Sequence, residues 1–164
     1  MNFFDPTHQE APTEDLNFGI CDDQNGQKAY TDRTNKSKWI ATVINEKPFQ
    51  LTFTAIDKGV IKDDQFPGKE RCEGMITSNE HIYFLELKVQ RSGGAAKAKL
   101  QLESTIEIFN QVHPERLREY KHKKAFICNK KHPNFHVIQN EYQRSFYSKY
   151  NVRLDINTEI KFKN

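Results

Sequence analysis

No stretch of these 164 residues approaches the roughly 18 consecutive apolar positions of a membrane-spanning helix. Cysteine is scarce. Cys21, Cys72 and Cys128 are odd in number, far apart and without a CxxC pair, which argues against a cysteine zinc site. Cys72 and Cys128 lie in apolar, strand-like runs and are expected as small core residues. The opening Met1-Asn2-Phe3-Phe4-Asp5-Pro6 lacks a basic region followed by an apolar stretch, so the expected location is the cytoplasm. There is no glycine-rich phosphate loop, because Gly93-Gly94 lacks the flanking pattern, and no serine or cysteine nucleophile signature. The histidines form no metal set: His132 and His136 straddle Pro133, which disfavours a helix there. Internal repeats and low-complexity segments are missing. Strong charge of one sign is missing too. A net charge of +3 and a pI near 8.7 do not by themselves imply nucleic acid.

What remains suits one globular domain over 1–164, with 36% hydrophobic residues to build a core. Residues 1–33 are polar, poor in periodicity and expected as an N-terminal arm around a core of 34–164. Trp39, Ile40, Val43 and Ile44 have helical spacing, so a short helix is predicted over 35–46, stopped by Pro48. Alternation predicts a strand over 49–56. Strands over 71–77 and 81–89 follow, joined by the short Ser78-Asn79-Glu80 turn as an antiparallel hairpin. Ala95, Ala98, Leu102, Ile106, Phe109 and Val112 form one stripe of a helix that Pro114 closes. Then come a strand over 124–128, a short strand at 135–138, a helix near 140–150 and a half-buried edge strand over the last ten residues. The order is arm, α, β, β, β, α, β, α, β.

The most informative stretch is Ile82-Tyr83-Phe84-Leu85-Glu86-Leu87-Lys88, with Arg71-Cys72-Glu73-Gly74-Met75-Ile76 just upstream. In a strand, residues i and i+2 share a face. Glu86 and Lys88 therefore project together, on the face that also carries Ile82 and Phe84. An apolar sheet tolerates two acids and a lysine only if they pair, bind a metal or do chemistry. Magnesium takes one or two carboxylates and keeps several waters. The plainer alternative is a structural Glu-x-Lys ion pair on an exposed strand face.

Glu73, then Glu86-Leu87-Lys88, then a helix with Gln101, resembles the PD-(D/E)xK nuclease superfamily over about residues 36–128. The residue types around the site also resemble small standalone bacterial proteins with that core. The resemblance implies an α/β, restriction-endonuclease-like αβββαβ core: a mixed central sheet flanked by helices, here with an N-terminal arm and an extra C-terminal strand. It implies that Glu73, Glu86 and the Leu87 carbonyl hold Mg2+ or Mn2+, that Lys88 orients the attacking water, and that Gln101 bonds a water or Lys88. The first acid of that family is usually aspartate. Glutamate at 73 moves the carboxylate by about 1.5 Å, one bond length. Glu46, at the end of the first predicted helix, would stand where the family sometimes places another acid.

Arg91, Lys97, Lys99, Lys130 and Lys131 are candidate nucleic-acid contacts, and Lys121, Lys123 and Lys124 crowd the same eleven residues as Lys130 and Lys131. A solvated surface is the bland reading of either cluster. The expected activity is metal-dependent hydrolysis of phosphodiester bonds, in defence or DNA processing, with DNA favoured over RNA as partner and a homodimer or a partner protein as the further expected associations. The alternatives are a hydrolytically silent relative that binds nucleic acid or a partner protein, and an interaction protein whose sheet carries an ion pair.

Overall fold

Among the described residues the alternating segments form two sheets, not one. The computed structural model describes residues 1–90, 94–131 and 139–163. Its elements are β1 (Asn17–Cys21), β2 (Tyr30–Asp32), β3 (Ala41–Ile44), β4 (Thr52–Ala55), β5 (Gly74–Thr77), β6 (His81–Lys88), α1 (Ala95–Val112), β7 (His122–Asn129), α2 (Gln139–Tyr150), β8 (Arg153–Ile156) and β9 (Glu159–Lys161). Among the described residues the protein is α/β, with two mixed sheets and two helices. No described helix is long and apolar enough to cross a membrane.

The five-stranded sheet has the order β4-β5-β6-β7-β8. Its first pairs are antiparallel, with Gly74 opposite Leu85, and its last two are parallel, with Lys88 opposite Asn129. β6 is central, and all but its last residue are buried. That is why it reads as a continuous apolar run. One face of this sheet packs on α1 through Ile82, Phe84, Ala98, Leu102, Ile106, Phe109 and Ile127. The other face presents Tyr83, Leu85, Leu87 and Phe126 to a second core.

That second core is roofed by a four-stranded sheet of order β2-β1-β3-β9, which contributes Phe18, Ile20, Val43 and Ile160. The expected flanking by helices therefore holds on one face only. The predicted arm is also corrected, since its Phe18 and Ile20 alternate into β1. The predicted helix over 35–46 is absent. Asn35 caps a single 3-10 turn at Lys36–Lys38, and Ala41–Ile44 then run as strand. Glu46 is exposed just after β3, away from the acids of the hairpin in chain and sheet. The final predicted strand divides at Asn157 and Thr158: β8 joins the five-stranded sheet, and β9 pairs parallel with β3 in the other.

The hairpin β5–β6, the strand β7 and the helix α1 appear where the pattern predicts them, α1 with the same limits. Gly94 starts α1 with φ +81, a left-handed conformation that glycine adopts without strain. Cys21, Cys72 and Cys128 are buried and free. The predicted strand at 135–138, His132, His136 and Arg91 lie outside the described residues.

Candidate active site

The pleat of β6 sends Glu86 to the α1 side of the sheet, with Ile82 and Phe84. Glu86 is 0% exposed, and neither carboxylate oxygen accepts a hydrogen bond from a described group. Lys88 Nζ stands 3.0 Å from Glu86 Oε1, close enough to attract, but its directed hydrogen bond goes to Gln101 Oε1 at 2.7 Å. Burial pushes the Glu86 carboxyl up to about 8; Lys88 opposes the shift, while Glu73 and Asp57 add to it.

Glu73 sits where the regular ladder breaks. Its N–H donates to the Leu85 carbonyl at 3.1 Å, and its own carbonyl accepts from Ile56 N–H at 2.9 Å. The two backbone groups thus face opposite neighbours, unlike those of a regular strand residue, a kink of the kind that re-aims side chains. Burial pushes its carboxyl up to about 7, with Asp22 and Asp57 adding and Lys88 and Arg71 opposing. Glu73 and Glu86 are therefore electrostatic neighbours that share Lys88. They do not close into a chelating trio: among the described residues no three His, Cys, Asp or Glu side chains form a metal-holding group.

α1 locks this corner from above. Gln101 is only 9% exposed and bridges Lys88 to the Arg71 carbonyl, to which its Nε2 donates at 3.3 Å. One turn on, Thr105 Oγ1 accepts from Cys72 N–H and donates to the Gln101 carbonyl, both at 2.8 Å. Below the kink, β4 and β5 approach so closely that a Cβ on Gly74 would lie 2.7 Å from the Phe53 ring. Only glycine leaves that approach undisturbed.

The Leu87 carbonyl follows that of Leu85 toward the β5 side, since carbonyls of i and i+2 point alike. β5 pairing has ended there. Arg71 pairs with Asp57 and Asp63 rather than with Glu73. Beside it a cavity of about 320 Å³, lined by Asp57, Gly68, Lys69, Glu70, Arg71 and Gln101, opens to solvent.

The candidate basic contacts divide. Lys97 is exposed on α1 one turn before Gln101, on the same face. Lys99 is turned away, held by Glu103 at 2.8 Å and lying over the Tyr142 ring. The Lys130 N–H donates to the Lys88 carbonyl, so Lys130 and exposed Lys131 lie at the site end of the sheet. The Lys130 ammonium donates to the Ser37 carbonyl. Asp22, Asp57, Arg71 and Thr105 join the corner without a sequence motif. Asp57 follows β4, and the β4–β5 pairing alone would have brought it near Glu73.

No protein family, curated protein or solved structure is matched by the chain. The site's meaning rests on its residues and geometry.

Proposed function

We propose that the protein is a metal-dependent nuclease of the restriction-endonuclease-like kind, hydrolysing phosphodiester bonds of nucleic acid, DNA before RNA. One observation carries the reading: a fully buried carboxylate, Glu86, whose charge is met by the Lys88 ammonium at 3.0 Å while that lysine is itself anchored by a glutamine. A buried acid left in this state is costly unless something else satisfies it. The β4-β5-β6-α1-β7 order, with the acids on the hairpin and the glutamine on the helix, supports the same core, although the first helix of αβββαβ is replaced by β3.

The residues present fit a hard divalent cation. Glu73, Glu86 and the Leu87 carbonyl are oxygen donors, and Mg2+ or Mn2+ accepts few protein ligands because it keeps waters. Bound there, the cation would polarise the phosphodiester and lower the pKa of its water. To hold it, Glu86 must give up a proton that burial favours keeping. Lys88 then turns its charge from Glu86 toward the reacting water and the phosphate oxygens. Gln101 limits where Lys88 can go, because its own amide is fixed to the Arg71 carbonyl. Lys97, Lys130 and Lys131 supply charge at the rim for the backbone of the nucleic acid.

A second reading is favoured by the short Lys88–Glu86 contact of 3.0 Å. In it that pair is structural, and the protein binds nucleic acid or a partner without cleaving. Cleavage separates the two. Labelled single-stranded and duplex DNA and RNA are incubated with Mg2+ or Mn2+ and with EDTA. Metal-dependent cleavage that Lys88→Ala abolishes, with binding retained, supports the nuclease. Binding without cleavage under either metal supports the second reading.

A further inference from the structure

Basic residues that are neighbours in the chain part company in space. β6 and β7 run parallel, with His81 opposite His122 and Lys88 opposite Asn129. Lys130 and Lys131 therefore sit at the Glu86 end, and Lys121, Lys123 and Lys124 at the other. Lys124 is level with Tyr83, which at about 3.3 Å per residue places its backbone roughly 17 Å from the Lys88 level. β8 brings Arg153 level with Lys124.

A groove opens at this far end. Its central cavity, about 330 Å³, is lined by Lys121, Lys123, Lys124, Arg153, Tyr147 and Asn151 among others, with no carboxylate in the lining. Lys123 and Asn151 also line a cavity of about 500 Å³ that adds Arg118 and Lys149. Tyr147 and Arg153 also line one of about 600 Å³ that adds Arg144. Across the three, seven lysines and arginines face two carboxylates, Glu115 and Asp155. Glu115 is already paired with Arg118, and Asp155 lies 3.8 Å from Lys124.

Tyr147 stands at the junction, 52% exposed. A cationic groove alone attracts any polyanion. An uncovered aromatic ring inside it adds a preference. Stacking is available to unpaired bases, whose faces are free, and not to duplex DNA, an acidic peptide or a sulfated polymer.

We propose that this groove binds a single-stranded stretch of nucleic acid, with phosphates on Lys121, Lys124 and Arg153 and a base on Tyr147. The proposal rests on the nucleic-acid part of the function proposed above, but not on hydrolysis. It assigns the protein a substrate with an unpaired segment, gripped at one end of the sheet while the duplex or strand reaches the acids at the other.

The test is fluorescence anisotropy in EDTA with a labelled 20-nucleotide single strand and its duplex. Wild type, Lys121→Glu/Lys124→Glu, Tyr147→Ala, Tyr147→Phe and, at the other end, Lys130→Glu/Lys131→Glu are compared. The expected result is tighter binding of the single strand, a loss of about tenfold or more on the double charge reversal, and a salt slope smaller by about 0.7 for each phosphate no longer neutralised. Tyr147→Ala should lose about fivefold or more, and Tyr147→Phe should keep affinity. Three results would overturn the proposal: single-strand affinity unchanged by the far-end variants; duplex bound equally with no effect of Tyr147→Ala; or polyglutamate competing as well as the oligonucleotide at equal charge. Cleavage is scored separately with Mg2+. A groove that binds without any cleavage sinks the nuclease reading and leaves this one standing.

Discussion

Glu86→Gln should change how stability depends on pH. The carboxyl is fully buried, and its pKa rises from 4.5 to about 8 on folding. A raised carboxyl pKa means that the folded protein holds a proton that the unfolded chain releases. The group then costs nothing below pH 4.5, and its penalty grows as pH climbs from 4.5 to 8. At 1.36 kcal/mol per unit, the penalty is about 1 kcal/mol at pH 5 and on the order of 3 kcal/mol at pH 7. Glutamine keeps the shape and cannot ionise. Urea unfolding in EDTA should show wild type losing about 2 kcal/mol relative to Glu86→Gln between pH 5 and pH 7. For a chain of this size each kcal/mol moves Tm by about 2–4 °C, so the midpoints should separate by roughly 4–8 °C over that interval. Mg2+ at pH 8 should restore wild type more than the variant, because glutamine removes one of the two carboxylates of the site. Parallel pH curves for the two proteins would refute the reasoning: Glu86 would then be solvated or paired in solution.

Gln101→Leu removes the anchor of Lys88 without touching the acids. It should lower the rate of metal-dependent cleavage by about 10–100-fold with binding unchanged, as measured by single-turnover kinetics. Thr105→Val leaves the buried Cys72 N–H without its acceptor in the core, and should cost about 1–3 kcal/mol in urea unfolding. Glu73→Asp shortens the first acid to the residue that the resembled superfamily uses. Cleavage with Mg2+ and Mn2+ should survive or rise, and a variant as inert as an inert wild type would end the nuclease claim.

The parts legible in the sequence were those where one pattern dominates. α1 shows because Ala98, Leu102, Ile106 and Phe109 press on a single core, and β6 because both its faces are covered. That Glu86 and Lys88 share a face was readable because the strand period decides it, whereas Gln101 was reached only through the resemblance, which left its partner open between a water and Lys88. The roofing sheet was not. Trp39, Ile40, Val43 and Ile44 fit a helical period, but Thr42, Val43 and Ile44 are β-branched and alternate in burial as β3. β1 was hidden by its polar surroundings and by Gly19, whose missing side chain leaves room for the Trp39 ring. The last ten residues keep their alternation throughout. Leu154 and Ile156 enter the core under α1, Ile160 and Phe162 the core under the roof, and only pairing partners could reveal the exchange. Glu73 escaped parity counting because its backbone is shared between two neighbouring strands.

The most direct measurement is a Mn2+ soak of crystals, read by anomalous difference density at the corner of β5, β6 and α1. The account predicts a peak in contact with Glu86 and Glu73, with the Lys88 ammonium withdrawn from Glu86 Oε1. A corner without a peak at millimolar Mn2+, with Lys88 still on Glu86, would contradict it.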